Sequence, residues 1–303
     1  MPLIKSLLIA GLLATVSTPS LAGARLDKTG REALAAHKAL YNIEMTSKRS
    51  SSQVLNIHGQ MYFALQPSCE AWSTDHRFNL YYEYADSPPM QISSDFTTYE
   101  PLDGQSFDFS SRRKRDGEMY QELRGTAVRD EAGLAHVTYN TPEGLNFDMP
   151  KGGLFPMAHT AAMMDSIRAG GKVFNAVVFD GSDEEGPIEI NTIVNKPVSI
   201  PAALTTTAAI DSTLVSSPAH KVRMAFFPIN DDSPGADYEM DIVLHDNGVI
   251  SHMNVDYGEF SVSQKLIALE KVNAPACNNE AASPGKSGPP AEKPRKKLFK
   301  LIP

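Results

Sequence analysis

The chain has 303 residues, 42% of them apolar, a net charge of -8 and two cysteines. That length suits one large all-β domain or two smaller ones, and the apolar share suffices for a full core. The acidic balance argues against a nucleic-acid surface and against lying flat on an anionic bilayer.

Residues Met1 to Ala22 read as a cleavable export signal. Lys5 supplies the positive end, Leu7 to Ala14 form an apolar core, and Ser20-Leu21-Ala22 is a small-x-small cleavage site. The apolar run is too short for a membrane span, so no transmembrane segment is expected in the mature chain. No cysteine follows the cleavage site, so no lipid is expected there. In an exported chain Cys69 and Cys277 are expected to form a disulfide. The alternative is two buried free thiols. A bridge would close a loop of about 208 residues, worth roughly 5 kcal/mol at most in the chain-entropy account.

From residue 23 to about 280 the body reads mostly as strand, with apolar and polar residues alternating in short runs. Ala39–Met45, Asn56–Phe63, Phe78–Tyr82 and Ser106–Phe109 carry that period. A short helix around Ala35–His37 could lead into the first of them. The clearest helix lies over Met157–Ala169, with Pro156 at a first helical position and Gly170-Gly171 as its stop. Met157, Ala161, Met164 and Ile167 share one face at helical spacing. One such helix in a long β chain is expected to cover a sheet face or plug an open barrel, which makes these four the candidate ligand or plug residues. Farther on, Asp241–His245 and Val249–Met253 form the clearest hairpin. Asn247-Gly248 between them suggests the positive φ angles of a type I′ turn. A strand over about Phe260–Leu269 completes a C-terminal meander. Residues 281–303 are Pro-rich and basic, and a disordered tail is expected. Arg295-Lys296-Lys297 there read as a solubilising end or, alternatively, as an anchor to anionic envelope surfaces.

No catalytic signature appears: no G-x-S-x-G, no H-E-x-x-H and no P-loop. His245 and His252 flank the hairpin turn and could face each other, though strand histidines more often pair or sit at the surface. Asp180–Gly186 resembles a calcium loop but has Asn191, not a bidentate Glu, at its twelfth position, so it reads as an acidic turn. Arg112–Arg115 read as charges that discourage sheet-edge pairing, with a phosphate site as the minor alternative. No metal, cofactor or enzymatic activity is expected.

Several spaced motifs resemble the EipB family of cell-envelope integrity proteins. They are Cys69-Glu70-Ala71-Trp72 with His76-Arg77-Phe78; Pro150–Pro156 with His159-Thr160; Phe179–Asp183; and Cys277 just before a loose end. The resemblance spans about Leu34 to Cys277. At Asp75-His76 the chain departs from the Asn-Gln expected of the family. The resemblance implies a single long curved antiparallel sheet, a β-spiral of LolA/LolB-like shape, wrapped around one central helix and joined by one disulfide. It also implies a periplasmic location, a role in envelope integrity and stress resistance, no catalysis, and a periplasmic tetratricopeptide-repeat protein as partner. Two modes of action follow from the sequence. The sheet holds a lipid or acyl chain, as a LolA-like carrier would, or it presents a surface to another protein.

Overall fold

A computed structural model describes residues 34–229 and 235–275. The expected signal peptide, the basic tail and Cys277 lie outside the described residues.

Among the described residues, fourteen antiparallel strands form one sheet that curls into a nearly closed barrel. The first meander runs β1 (His37–Lys48), β2 (Val54–Pro67), β3 (Ala71–Tyr84), β4 (Met90–Pro101), β5 (Ser106–Arg115), β6 (Glu118–Arg129), β7 (Ala135–Thr141) and β8 (Asn146–Met149). Helix α1 (Pro156–Arg168) follows. The second meander runs β9 (Val173–Val178), β10 (Ile188–Val198), β11 (Ala219–Pro228), β12 (Tyr238–His245), β13 (Ile250–Asp256) and β14 (Phe260–Lys271). Two short helices, α2 (Ala202–Thr206) and α3 (Ser212–Val215), lie between β10 and β11. The sheet order is β8 through β1, then β14 through β9.

In β1 and β5 the alternation read in the sequence is an alternation of burial, whereas β3 is half-buried along most of its length. In β1, Ala39, Tyr41 and Ile43 face the core, and a bulge at Leu40/Tyr41 adjusts the pairing with β14. The helix suggested around Ala35–His37 is not there. His37 opens β1 and pairs with Leu65 on one side and Lys271 on the other. Ladder pairing on both sides outweighs the local preference of three residues.

Helix α1 begins and ends where its sequence says. Pro156 occupies the start, Gly170 takes φ 84°, and Gly171 N–H donates to Ser166 O at 2.8 Å. The β12–β13 turn differs from expectation. Asn247 does not have positive φ; only Gly248 does, at 82°, and its N–H donates to His245 O at 2.8 Å. This is a three-residue loop with the left-handed position on glycine, and the Val243/Leu244 register shift matches it.

Two apolar cores fill the barrel. The larger lies between α1 and the strands β1–β3 and β10–β14. The smaller is aromatic and lies under β5–β8: Phe107, Phe109 and Tyr139 meet Phe155, just before α1, and Phe179, just after β9. These contacts bring the two sheet ends together. Leu154 forms a parallel bridge to Val178, so the segment before α1 lies along β9. The β9–β10 loop reaches across to the first meander. Tyr139 Oη donates to Asp183 O at 2.6 Å, and Arg113 Nη2 donates to Ser182 O at 2.7 Å. A side chain on Gly181, which has φ 70°, would strike the Phe109 ring, so glycine permits this approach.

Candidate ligand cavity

The helix is fastened to the sheet by a carboxylate that is remote in sequence. Phe155, in the N-cap position, has no capping side chain. Instead Glu100, at the end of β4 and fully buried, accepts from Met157 N–H and Ala158 N–H, both at 2.8 Å. These are two of the amides that a helix start leaves without partners, at the positive end of its dipole. Burial pushes the Glu100 carboxyl up to about 7, against the downward pull of both amides and of the Arg129 guanidinium. Arg129 lies over the Phe155 ring at 4.8 Å and donates to Gly104 O at 2.9 Å.

Beside α1 lies a half-open cavity of about 350 Å³, within the size range of small-ligand sites. Six methionines line it: Met61 from β2, Met157 and Met163 from α1, Met224 from β11, Met240 from β12 and Met253 from β13. Thioethers are soft and conformationally adaptable, which suits a surface that must fit a flexible apolar occupant. Among these residues stand three imidazoles, His37, His76 and His159. Burial lowers all three, His76 and His159 to about 4, so they are neutral at physiological pH. His37 Nδ1 lies 2.7 Å from Ala35 O, and His76 Nε2 contacts Met61 Sδ. The His159 ring tilts against Phe174 at 5.6 Å.

The four helix residues singled out in the sequence divide between two places. Met157 lines the cavity. Met164 is buried and, with Ile167, lies against Leu244 and His245 at the far end of α1. Ala161 is partly buried against the same core. Met163, His159 and Thr160, which also line the cavity, are not on the stripe read from the sequence. The apolar count found the helix, but the cavity flanks that stripe instead of lying beneath it.

The other candidates do not form sites. His245 Nε2 bonds Ser251 Oγ at 3.0 Å and His252 Nε2 bonds Ser263 Oγ at 2.9 Å, so the two rings serve different partners. In the acidic turn, Asp180 Oδ1 accepts from Ser182 N–H and Asp183 Oδ1 from Glu185 N–H, both at 2.8 Å, which occupies them with their own backbone. Arg112–Arg115 end β5, an interior strand, so they do not guard a sheet edge. Among the described residues no group of three His, Cys, Asp or Glu could hold a metal, and no helix is long and apolar enough to cross a membrane.

Cys69 sits in the β2–β3 turn and is disulfide-bonded. Lys271–Pro275, the last described residues before Cys277, line a groove with Pro67, Ser68 and Trp72, beside that turn.

Comparison with known proteins agrees with this architecture. A crystal structure of a β-barrel-like protein of a domain of unknown function from Brucella abortus superposes with a TM-score of 0.73. It is 26% identical and covers 79% of this chain and 99% of its own. The cell envelope integrity protein EipB of Brucella abortus (strain 2308) is 27% identical over 245 residues, 78% of this chain and 84% of that protein. Residues 28–273 match the EipB-like family, and the chain belongs to it.

Proposed function

We propose that this protein supports cell-envelope integrity from the periplasm, without catalysis, by holding an apolar ligand between α1 and the sheet. The methionine-lined cavity carries this reading. The envelope role comes from the relative named for it, and the export signal in the sequence is consistent with a periplasmic location. A LolA-like carrier of acyl chains is the form of the proposal that this cavity favours. A second reading is docking to a protein partner, such as a periplasmic tetratricopeptide-repeat protein. It draws on exposed aromatic side chains at the strand ends, Tyr120 beneath Arg115 at 5.0 Å and Tyr257 packed on Phe260 at 5.2 Å.

Diphenylhexatriene, a hydrocarbon probe that fluoresces in apolar surroundings, tests the cavity. It is expected to bind with a Kd of about 1 μM or tighter. Met163→Trp, which fills the cavity, is expected to weaken it at least about ten-fold with the circular dichroism of the fold unchanged. No binding by the wild type would reject the cavity reading and leave protein docking.

We also propose that Cys277 is the partner of Cys69, since the chain approaching Cys277 runs beside the Cys69 turn. Alkylation of natively exported protein should label no thiol before reduction and two after it. Two labelled thiols without reduction would sink the assignment.

A further inference from the structure

We infer that the cavity selects uncharged lipids, meaning apolar chains that carry a neutral hydroxyl, amide or ester group, and rejects the carboxylate of a free fatty acid. The inference rests on the apolar-ligand reading above and adds a chemical class to it.

The charge argument comes from the lining. Among the described residues it holds no lysine or arginine, and its one acidic side chain is Asp180. An anionic head entering this space would lose its hydration, meet no counter-ion and approach an acid. A buried charge without a partner is strongly disfavoured. The three imidazoles do not change this, because the same burial that surrounds them keeps them uncharged.

The polar argument comes from two groups that lack partners. His159 is 6% exposed, and its Nε2 is sealed from solvent without a hydrogen bond. Gln264 Oε1 is likewise buried and unbonded. Both residues line the cavity. A carbonyl oxygen only accepts, so Gln264 calls for a donor such as a hydroxyl or amide N–H. A neutral imidazole nitrogen either donates or accepts according to its tautomer, and so suits a hydroxyl, an amide or an ester carbonyl. A carboxylate offers acceptors alone and cannot satisfy Gln264. Other buried side-chain atoms of the described residues also lack partners, but these two, one from α1 and one from β14, line the same cavity, where an occupant can supply the missing bonds.

Displacement of diphenylhexatriene by two lipids of equal chain length, dodecanol and dodecanoate, tests this. Near pH 8, dodecanol is expected to displace the probe at a concentration about ten-fold or more below that needed for dodecanoate. On acidification dodecanoate should gain as its own carboxyl takes up a proton. The two lipids are compared as a ratio at each pH, because Glu100, which holds the first turn of α1, titrates at about 7 and burial raises Asp180 in the lining as well. Gln264→Leu and His159→Phe should each reduce the preference for dodecanol several-fold, read as the ratio of the two displacing concentrations within the same variant. Dodecanoate matching or surpassing dodecanol near pH 8, or a dodecanol preference unchanged in both variants, would overturn the inference while the cavity reading stands. Failure of the hydrocarbon probe itself would remove both.

Discussion

Phe107→Ala is expected to lower stability by about 3–5 kcal/mol, the range for deleting a fully buried aromatic ring. Phe107 is wholly enclosed and stacks on Phe155 at 5.2 Å. It also meets Phe179 edge-on at 6.2 Å and Phe109 at 6.0 Å. Those rings come from β5, from the lead into α1 and from just after β9, so the lost ring is one of those that join the two sheet ends. The space left cannot collapse easily, because each neighbour is fixed by its own strand or by the helix start. At roughly 2–4 °C per kcal/mol for a domain of this size, the melting temperature should fall by about 6–20 °C. Phe107→Leu, which keeps most of the apolar volume, should cost distinctly less. A shift of only a degree or two for the alanine variant would show that the aromatic cluster does not hold the seam.

Glu100→Ala is the second large effect, and its size should depend on pH. The variant leaves Met157 N–H and Ala158 N–H buried without an acceptor, at about 1–3 kcal/mol each. A loss of about 2–5 kcal/mol is therefore expected near pH 5. The native carboxyl is raised from 4.5 to about 7, so the folded state holds its proton more tightly than the unfolded state does. The stability from that retained proton is full below about 4.5 and declines as pH rises through about 7. Alanine has no such proton. The gap between wild type and variant should narrow by about 2 kcal/mol between pH 5 and 7.5, measured by denaturant titration at each pH. A gap constant over that window would mean that Glu100 is ionised throughout and binds the helix as a carboxylate.

The sequence revealed most where local chemistry decides the structure. Pro156 and Gly170-Gly171 placed both ends of α1, and the alternation in β1, β2 and β3 placed three inner strands. It revealed less where distant residues decide. The stretch at Ala35–His37 is claimed by strands on both sides, which no local pattern announces. Asn247-Gly248 is a favourable turn pair, but the extra residue Asp246 moves the left-handed conformation onto glycine alone. Glu100 is an acid in the inward phase of β4, shared with buried Ser94 and Thr98. That oddity was visible in principle, but the amides it binds lie 57 residues downstream. The cavity is a property of packing. Its methionines come from five elements of the chain, and a one-face count along α1 could find only Met157 among them.

The strand order has a consequence for how the molecule assembles in time. Apart from β1 with β14, every ladder joins strands that are neighbours in sequence. Two zippers, β1–β8 and β9–β14, can each close hairpin by hairpin between sequence neighbours, the longest connection within them being the one between β10 and β11 that carries α2 and α3. The pairing of His37 with Lys271 must wait for both. It is the slow encounter, and it joins two finished halves with α1 as the hinge between them. A chain severed in the α1–β9 connection would keep every hairpin in one piece or the other, so the two pieces retain what they need to find each other again.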